Sequence, residues 1–296
     1  MTDEFRCSLA SLAAAEPLAG TAPTETAWLL VEDPGPWGRK ALAESRLPEA
    51  VRDRLAALDG VRVQLVRRHG ERATAGVQVF AATAGADGGF AVEAARLDDA
   101  VDLLSLDLEG LAAGRGAGLS PYDAGLWLVC TNGRRDRCCA EQGRPVAAAL
   151  TERWPDQTWE TTHLGGHRFA ATLLALPSGA TLGRLDPSSA VAACAALEKG
   201  DLLLDLLRGR AGTPAAAQAA EAHLRDRLSL TATDAVRLRS AEPAGDETLV
   251  TLAVRTDPSP GDHRLLVTHR PGTPHRLSCA DDLAKPTDSF HVTPAP

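Results

Sequence analysis

Gly125-Leu-Trp-Leu-Val-Cys130-Thr-Asn-Gly-Arg-Arg-Asp-Arg-Cys138-Cys139 is the stretch from which the fold can be read. Leu126 to Val129 is a short continuous apolar run, the pattern of a buried strand, and it delivers Cys130 to the strand's carboxyl end. Downstream, Arg144 to Trp154 reads as a helix and Thr158 to Thr162 as a strand. Thr172 to Leu176 and Ala180 to Leu185 form a pair that turns at Pro177-Ser-Gly179. Ser189 to Leu197 is a helix that Pro187 and Ser188 can start.

The same order stands upstream. Ala27 to Val31 reads as a buried strand, Pro48 to Leu58 as an amphipathic helix and Val61 to Val66 as an alternating strand. Val77 to Ala81 and Phe90 to Ala94 flank the turn signal Gly85-Ala-Asp-Gly-Gly89, and Leu97 to Leu108 has helical apolar spacing. Strand, helix, strand, hairpin, helix is the thioredoxin order. The expectation is a mixed α/β (α+β) chain with two thioredoxin-like domains in tandem, residues 1–115 and 116–207. Residues 208–296 form a small appendage: Arg208 to Pro214 reads as a linker or helix start, Ala215 to Leu228 as an alanine-rich helix, and Thr248 to Val254 with His263 to Thr268 as a hairpin.

Chemistry concentrates in the second copy. Cys130 and the vicinal pair Cys138 and Cys139 border a loop too polar for a core, and His163-Leu-Gly-Gly-His167 follows the next strand. A structural zinc normally takes its first two thiolates from a knuckle of roughly two to four residues, whereas a two-iron cluster tolerates this longer arc. Gly165 and Gly166 let backbone N–H groups approach a bound group closely. The first copy has Glu32-Asp-Pro-Gly-Pro-Trp37 in the corresponding place and only His69 after its second strand. Its Pro-Gly-Pro-Trp turn reads either as a rigid turn with Trp37 packed at the domain interface or as a lid or partner surface.

Cys130 to Pro145 and Thr162 to Leu176, with Trp28-Leu-Leu-Val-Glu-Asp-Pro-Gly-Pro-Trp-Gly38, resemble the sucrase/ferredoxin-like proteins, whose cluster domain is similar to the thioredoxin-like 2Fe-2S ferredoxins. All-cysteine ferredoxins of that fold have CxxxC where this chain has His163 and His167, a departure shared by a two-Cys, two-His branch of the family. The resemblance makes Cys130, Cys139, His163 and His167 the ligands of a 2Fe-2S cluster, with Cys138 the alternative second thiolate, and puts both histidines on one iron. It implies an electron carrier served by a reductase and an acceptor protein. The family's sucrase label would require two positioned carboxylates, and none stand out among 39 acidic residues.

That ligand set carries consequences. Two ferric ions, two sulfides, two thiolates and two neutral imidazoles sum to no charge, so the expected potential lies above that of plant-type ferredoxins, in the direction of Rieske centres. Each ligating imidazole keeps a second nitrogen, and proton uptake on reduction is expected. Two rival readings use the same residues: a structural Cys2His2 zinc module, or a metal-free thiol oxidoreductase, which lacks the usual CxxC and leaves the histidines idle.

Composition sets the frame. The 296 residues are 44% hydrophobic, enough for substantial cores, and the net charge of −8 argues against a nucleic-acid partner. Arg134, Arg135 and Arg137 form a basic spot that reads as a solvated loop or as a docking patch, and Arg168 as a donor near the cluster or one half of an ion pair. No run reaches the roughly 18 apolar residues of a membrane span, and Met1 to Arg6 lacks a secretion signal, so a cytoplasmic location is expected. Cys7, Cys194 and Cys279 read as scattered buried apolar residues. His223, His263, His269 and His275 match no ligand spacing and read as surface or hydrogen-bonded residues.

Overall fold

A computed structural model describes residues 4–70, 75–86 and 88–295. Asp87, inside the expected Gly85 to Gly89 turn, and the first three residues of the leader reading lie outside the described residues. The chain is mixed α/β. Its first helix is α1 (Cys7–Ala13), and the strands of the main sheet are β1 (Ala27–Glu32), β2 (Val61–Arg67), β3 (Val77–Ala84), β4 (Phe90–Leu97), β5 (Ser120–Pro121), β6 (Leu126–Cys130), β7 (Thr158–Thr161), β8 (Leu173–Leu176), β9 (Ala180–Leu182) and β10 (Leu207–Arg210). These ten strands form one sheet in the order β10-β9-β8-β6-β7-β2-β1-β3-β4-β5.

The pairing repeats. β1 runs parallel to β2 and antiparallel to β3, which pairs with β4; β6 runs parallel to β7 and antiparallel to β8, which pairs with β9. The parallel crossovers are made by α2 (Glu49–Ala56) and α4 (Arg137–Arg153). Ala27 to Val31 of β1 and all of β6 are apolar and buried because both of their faces are covered. Leu29 and Val31 face a core closed by α2 and α3 (Leu108–Ala112), while Trp127 and Val129 face one closed by α4 and α5 (Pro187–Glu198). Trp28, Leu30, Phe80, Leu126, Leu128 and Trp159 from the opposite faces share a single core inside the curl of the sheet. Across the curl, the Phe90 N–H donates to the Pro177 carbonyl at 2.7 Å.

The two halves join edge to edge. β2 and β7 pair antiparallel through Val66 with Thr161 and Arg67 with Glu160. Glu160 is buried there and accepts from Arg67 Nη2 at 2.6 Å, His69 Nδ1 at 2.6 Å and Thr131 Oγ1 at 2.6 Å. Burial opposes its ionisation, but the Thr131 hydroxyl and the Arg67 charge outweigh that and hold its pKa below the usual value. His69 is thus committed to this junction.

Several boundaries differ from expectation. The helix expected from Arg144 starts at Arg137, because Asp136 caps it by accepting from the Cys138 N–H at 3.0 Å, and Pro145 is carried inside it. Leu97 to Leu108 is not one helix: Asp99 caps a 3₁₀ turn at Ala100–Ser105 and Asp107 starts α3. Arg208 to Arg210, the start of the expected linker, instead belong with Leu207 to strand β10. The C-terminal part packs α6 (Ala215–Leu228) on a four-stranded antiparallel sheet of β11 (Val236–Ala244), β12 (Glu247–Val254), β13 (Gly261–His275) and β14 (Lys285–Pro294), two strands more than the expected hairpin. No helix among the described residues is long and apolar enough to cross a membrane.

Candidate metal centre

Cys130 ends β6, with its backbone N–H bonded to the Thr172 carbonyl at 3.1 Å. Cys139 lies in the first turn of α4, packed close against that strand: a Cβ on Gly143 would overlap the Cys130 carbonyl oxygen. The absence of a side chain there lets the helix bring its sulfur to the strand's. The Cys130 and Cys139 sulfurs and a His163 ring nitrogen all lie within 4.8 Å of one another, with both cysteines about 1% exposed. Cys139 Sγ is 3.9 Å from His163 Nδ1.

His167 joins through the other histidine. Its Nδ1 is 3.3 Å from His163 Nε2, and its Nε2 is 3.8 Å from Asp136 Oδ2. The four side chains therefore form an elongated set, two buried sulfurs at one end and two largely buried imidazoles at the other. Two imidazole nitrogens at about 2.0–2.1 Å from one tetrahedral ion would lie about 3.3 Å apart, as these do.

Electrostatics favour ligation. The Cys130 thiol is held well below its ordinary pKa by a hydrogen bond from Cys139, then by His163 and the Leu164 N–H, while Cys139 is raised because it keeps the shared proton in a buried place. His167 is pushed down to about 4, chiefly by burial, with Asp136 opposing and the His163 and Arg168 charges adding. A neutral imidazole at neutral pH is the ligating form. Asp136 is ionised: burial raises its pKa, but the Cys279 N–H, His167 and the Ser278 hydroxyl together lower it.

The histidine loop is held from two sides. Its first carbonyl, on His163, accepts from Arg62 Nη2 at 2.8 Å and Gln64 Nε2 at 3.2 Å, so β2 of the ligand-free half braces the ligand loop. Gly165 and Gly166 have φ of +92° and +70°, and a Cβ on Gly166 would collide with the guanidinium of Arg208. That buried guanidinium donates to the Gly165 carbonyl at 3.1 Å and to Thr21 Oγ1 at 3.1 Å. Its pKa falls to about 9 through burial and the Arg168 and Arg62 charges, which leaves a fixed cation near the two thiols.

Other sequence candidates find their places. Cys138 turns away from Cys130 and lies 3.3 Å from Cys279 Sγ. Arg168 pairs with Glu16 at 2.7 Å and Arg137 with Glu4, while Arg134 is exposed. Trp37 is buried, with Arg67 at 4.3 Å over its ring, and the neighbouring Gly38 carbonyl accepts from Asn132 of the cysteine loop at 3.2 Å. The Pro-Gly-Pro-Trp turn is therefore a packed turn beside the ligand loop. Cys194 is a core residue. His263 bonds the Ser259 carbonyl at 2.8 Å, His269 pairs with Asp288 at 2.8 Å and His275 with Glu16 at 3.0 Å.

Sequence reasoning missed Asp136, Arg208 and the Arg62–Gln64 brace. Asp136 carried a usable signal, an aspartate just ahead of a helix, whereas Arg208 had none beyond an arginine beside an apolar run. The chain matches a family model described as sucrase/ferredoxin-like over residues 18–209. No curated protein and no solved structure matches it.

Proposed function

The chain belongs to the sucrase/ferredoxin-like family, and on that premise we propose that it is an electron-transfer protein in which Cys130, Cys139, His163 and His167 hold a 2Fe-2S cluster. The observation that carries this reading is the elongated ligand set. The sulfurs gather at one end, and the imidazole nitrogens stand 3.3 Å apart at the other. A single ion needs all four donors about equally close, and His167 lies outside the group formed by Cys130, Cys139 and His163. Such a cluster, when bound, supplies one-electron chemistry at a potential that histidine ligation raises.

The chain's own residues do the rest. Gly143 allows α4 to bring Cys139 beside Cys130, and Arg208 and Gln64 fix the loop that presents the histidines. His167 turns Nε2 towards the ionised Asp136, which is placed to hold a proton taken up by that imidazole. The partly exposed histidines and the exposed Arg134 give a face through which a reductase and an acceptor protein could exchange electrons, in keeping with the acidic partners that the arginine would attract. We read each half of the main sheet as a thioredoxin-like domain, supported by the repeated strand pairing, with the first half a scaffold for the second. The six cysteines, all free, agree with a reducing, cytoplasmic setting.

A structural zinc site is the second reading, favoured by the 3.9 Å between Cys139 Sγ and His163 Nδ1, a separation one tetrahedral ion can span. Iron and acid-labile sulfide analysis of chain purified without oxygen separates the two. Two irons and two sulfides per chain, lost in Cys139→Ser and kept in Cys138→Ser, are expected. A colourless chain with zinc bound by these four residues would withdraw electron transfer.

A further inference from the structure

Three cysteines far apart in sequence meet at a second place. Cys7 opens α1, Cys138 lies in the first turn of α4, and Cys279 sits in the connection between β13 and β14. Cys138 Sγ is 3.3 Å from Cys279 Sγ, which is 3.7 Å from Cys7 Sγ. Cys7 Sγ is in turn 3.5 Å from Asp136 Oδ1, and the four donor atoms all lie within 4.8 Å of one another. Cys7 and Cys138 are wholly buried and Asp136 is 4% exposed.

Ala170 and Phe5 pack against Cys7 and Cys138, but apolar packing alone does not account for this arrangement. A cysteine used as a small hydrophobe needs apolar neighbours. Here three sulfurs converge on a carboxylate that also accepts the Cys138 N–H at 3.0 Å, the Cys279 N–H at 2.8 Å and the Ser278 hydroxyl at 2.9 Å. The Ser8 hydroxyl donates to Cys138 Sγ at 3.2 Å. Donors thus surround the site as they surround an anionic ligand set, and the N-terminal end of α4 adds its own favourable field. A disulfide would use two of the sulfurs at a bond length of about 2.0 Å and strand the third. Three thiolates at about 2.3 Å from one tetrahedral ion would stand about 3.8 Å apart, close to the spacing observed.

We propose that Cys7, Cys138 and Cys279, with Asp136 as the fourth donor, bind a zinc ion. The ion is structural, since four protein ligands leave no open position. It ties together the amino-terminal helix, the helix that carries Cys139 and the carboxy-terminal sheet. Two of its ligands, Cys7 and Cys279, lie outside the segment matched by the family model, residues 18–209. The site is separate from the electron-transfer centre and does not depend on that reading, although Asp136 stands between the two.

The test is zinc K-edge X-ray absorption on the purified full-length chain, with zinc counted per chain. One zinc with three sulfurs at about 2.3 Å and one oxygen at about 2.0–2.2 Å is expected. That zinc should remain in Cys130→Ser and vanish in Cys279→Ser. If Cys279→Ser does not fold, the absorption spectrum of the unaltered chain still decides the ligand set. Two zincs per chain, one lost in each variant, would keep this site and withdraw the electron-transfer reading. The proposal is overturned by a chain that takes up no zinc even when zinc is supplied, by a zinc count that is the same in a folded Cys279→Ser as in the unaltered chain, or by a Cys138–Cys279 disulfide in the chain as isolated.

Discussion

Replacing Gly166 by alanine strikes the support of the histidine loop without touching a ligand. At φ +70° an L side chain costs about 1–2 kcal/mol. The new Cβ would also overlap the Arg208 guanidinium, which holds Thr21 and the Gly165 carbonyl. A hydrogen bond from a charged donor contributes about 1.5–3 kcal/mol, and the displaced guanidinium loses at least one. Together these give about 2.5–5 kcal/mol of destabilisation. Gly118 provides the control, because its φ is +77° and nothing among the described residues lies within 4 Å of its would-be Cβ, so Gly118→Ala should cost only the backbone contribution, about 1–2 kcal/mol. Urea unfolding followed by the fluorescence of the five tryptophans measures both variants. Gly166→Ala should also lower iron retention, because its loop carries His167. The reasoning fails if the two variants unfold within about 0.5 kcal/mol of each other.

Gly143→Ala should displace α4 from β6, because its Cβ would meet the Cys130 carbonyl. The expected outcome is a folded chain with sharply reduced metal content, and unchanged metal content would show that the close approach is dispensable. Glu160→Gln should destabilise the chain by about 1–3 kcal/mol at neutral pH by replacing the charge-assisted bonds from the partly exposed Arg67 with neutral ones. Because Glu160 has a depressed pKa in the folded chain, its stabilisation is complete above the unfolded glutamate value near 4.3 and fades as pH falls through the lower folded value. The variant and the unaltered chain should therefore converge in stability in acid, and a gap that persists there would contradict this account. His163→Cys should lower the reduction potential and weaken its dependence on pH by replacing a neutral ligand with a thiolate. Potentiometric titration at several pH values checks this, and an equal potential in variant and parent would count against it.

What the sequence disclosed was local. The apolar run of β6 placed Cys130 at a strand end, and the repeated order of strand and helix anticipated the repeated pairing of β1 to β4 and β6 to β9. The helix expected from Arg144 begins two turns earlier because Asp136 caps it at Arg137 and Pro145 is carried inside; the vicinal cysteines consequently sit on a helix and point to different neighbours. Long-range meetings left no local trace. Nothing in the spacing of Cys7, Cys138 and Cys279 marks them as neighbours, since they are joined only by the docking of both chain ends against α4. The joining of the halves through β2 and β7 rests on two pairings and a buried glutamate, and neither has a periodic signature. Arg208 gains its role only because β10 runs beside β9 and turns it towards the Gly165 carbonyl.

The central claim, two thiolates and two imidazoles on one cluster, is tested most directly by pulsed electron paramagnetic resonance of the chemically reduced chain. The account predicts a cluster signal with two strongly coupled imidazole nitrogens, of which one disappears in His163→Cys. A cluster signal with no strongly coupled nitrogen, or with the same nitrogens in His163→Cys, would contradict it.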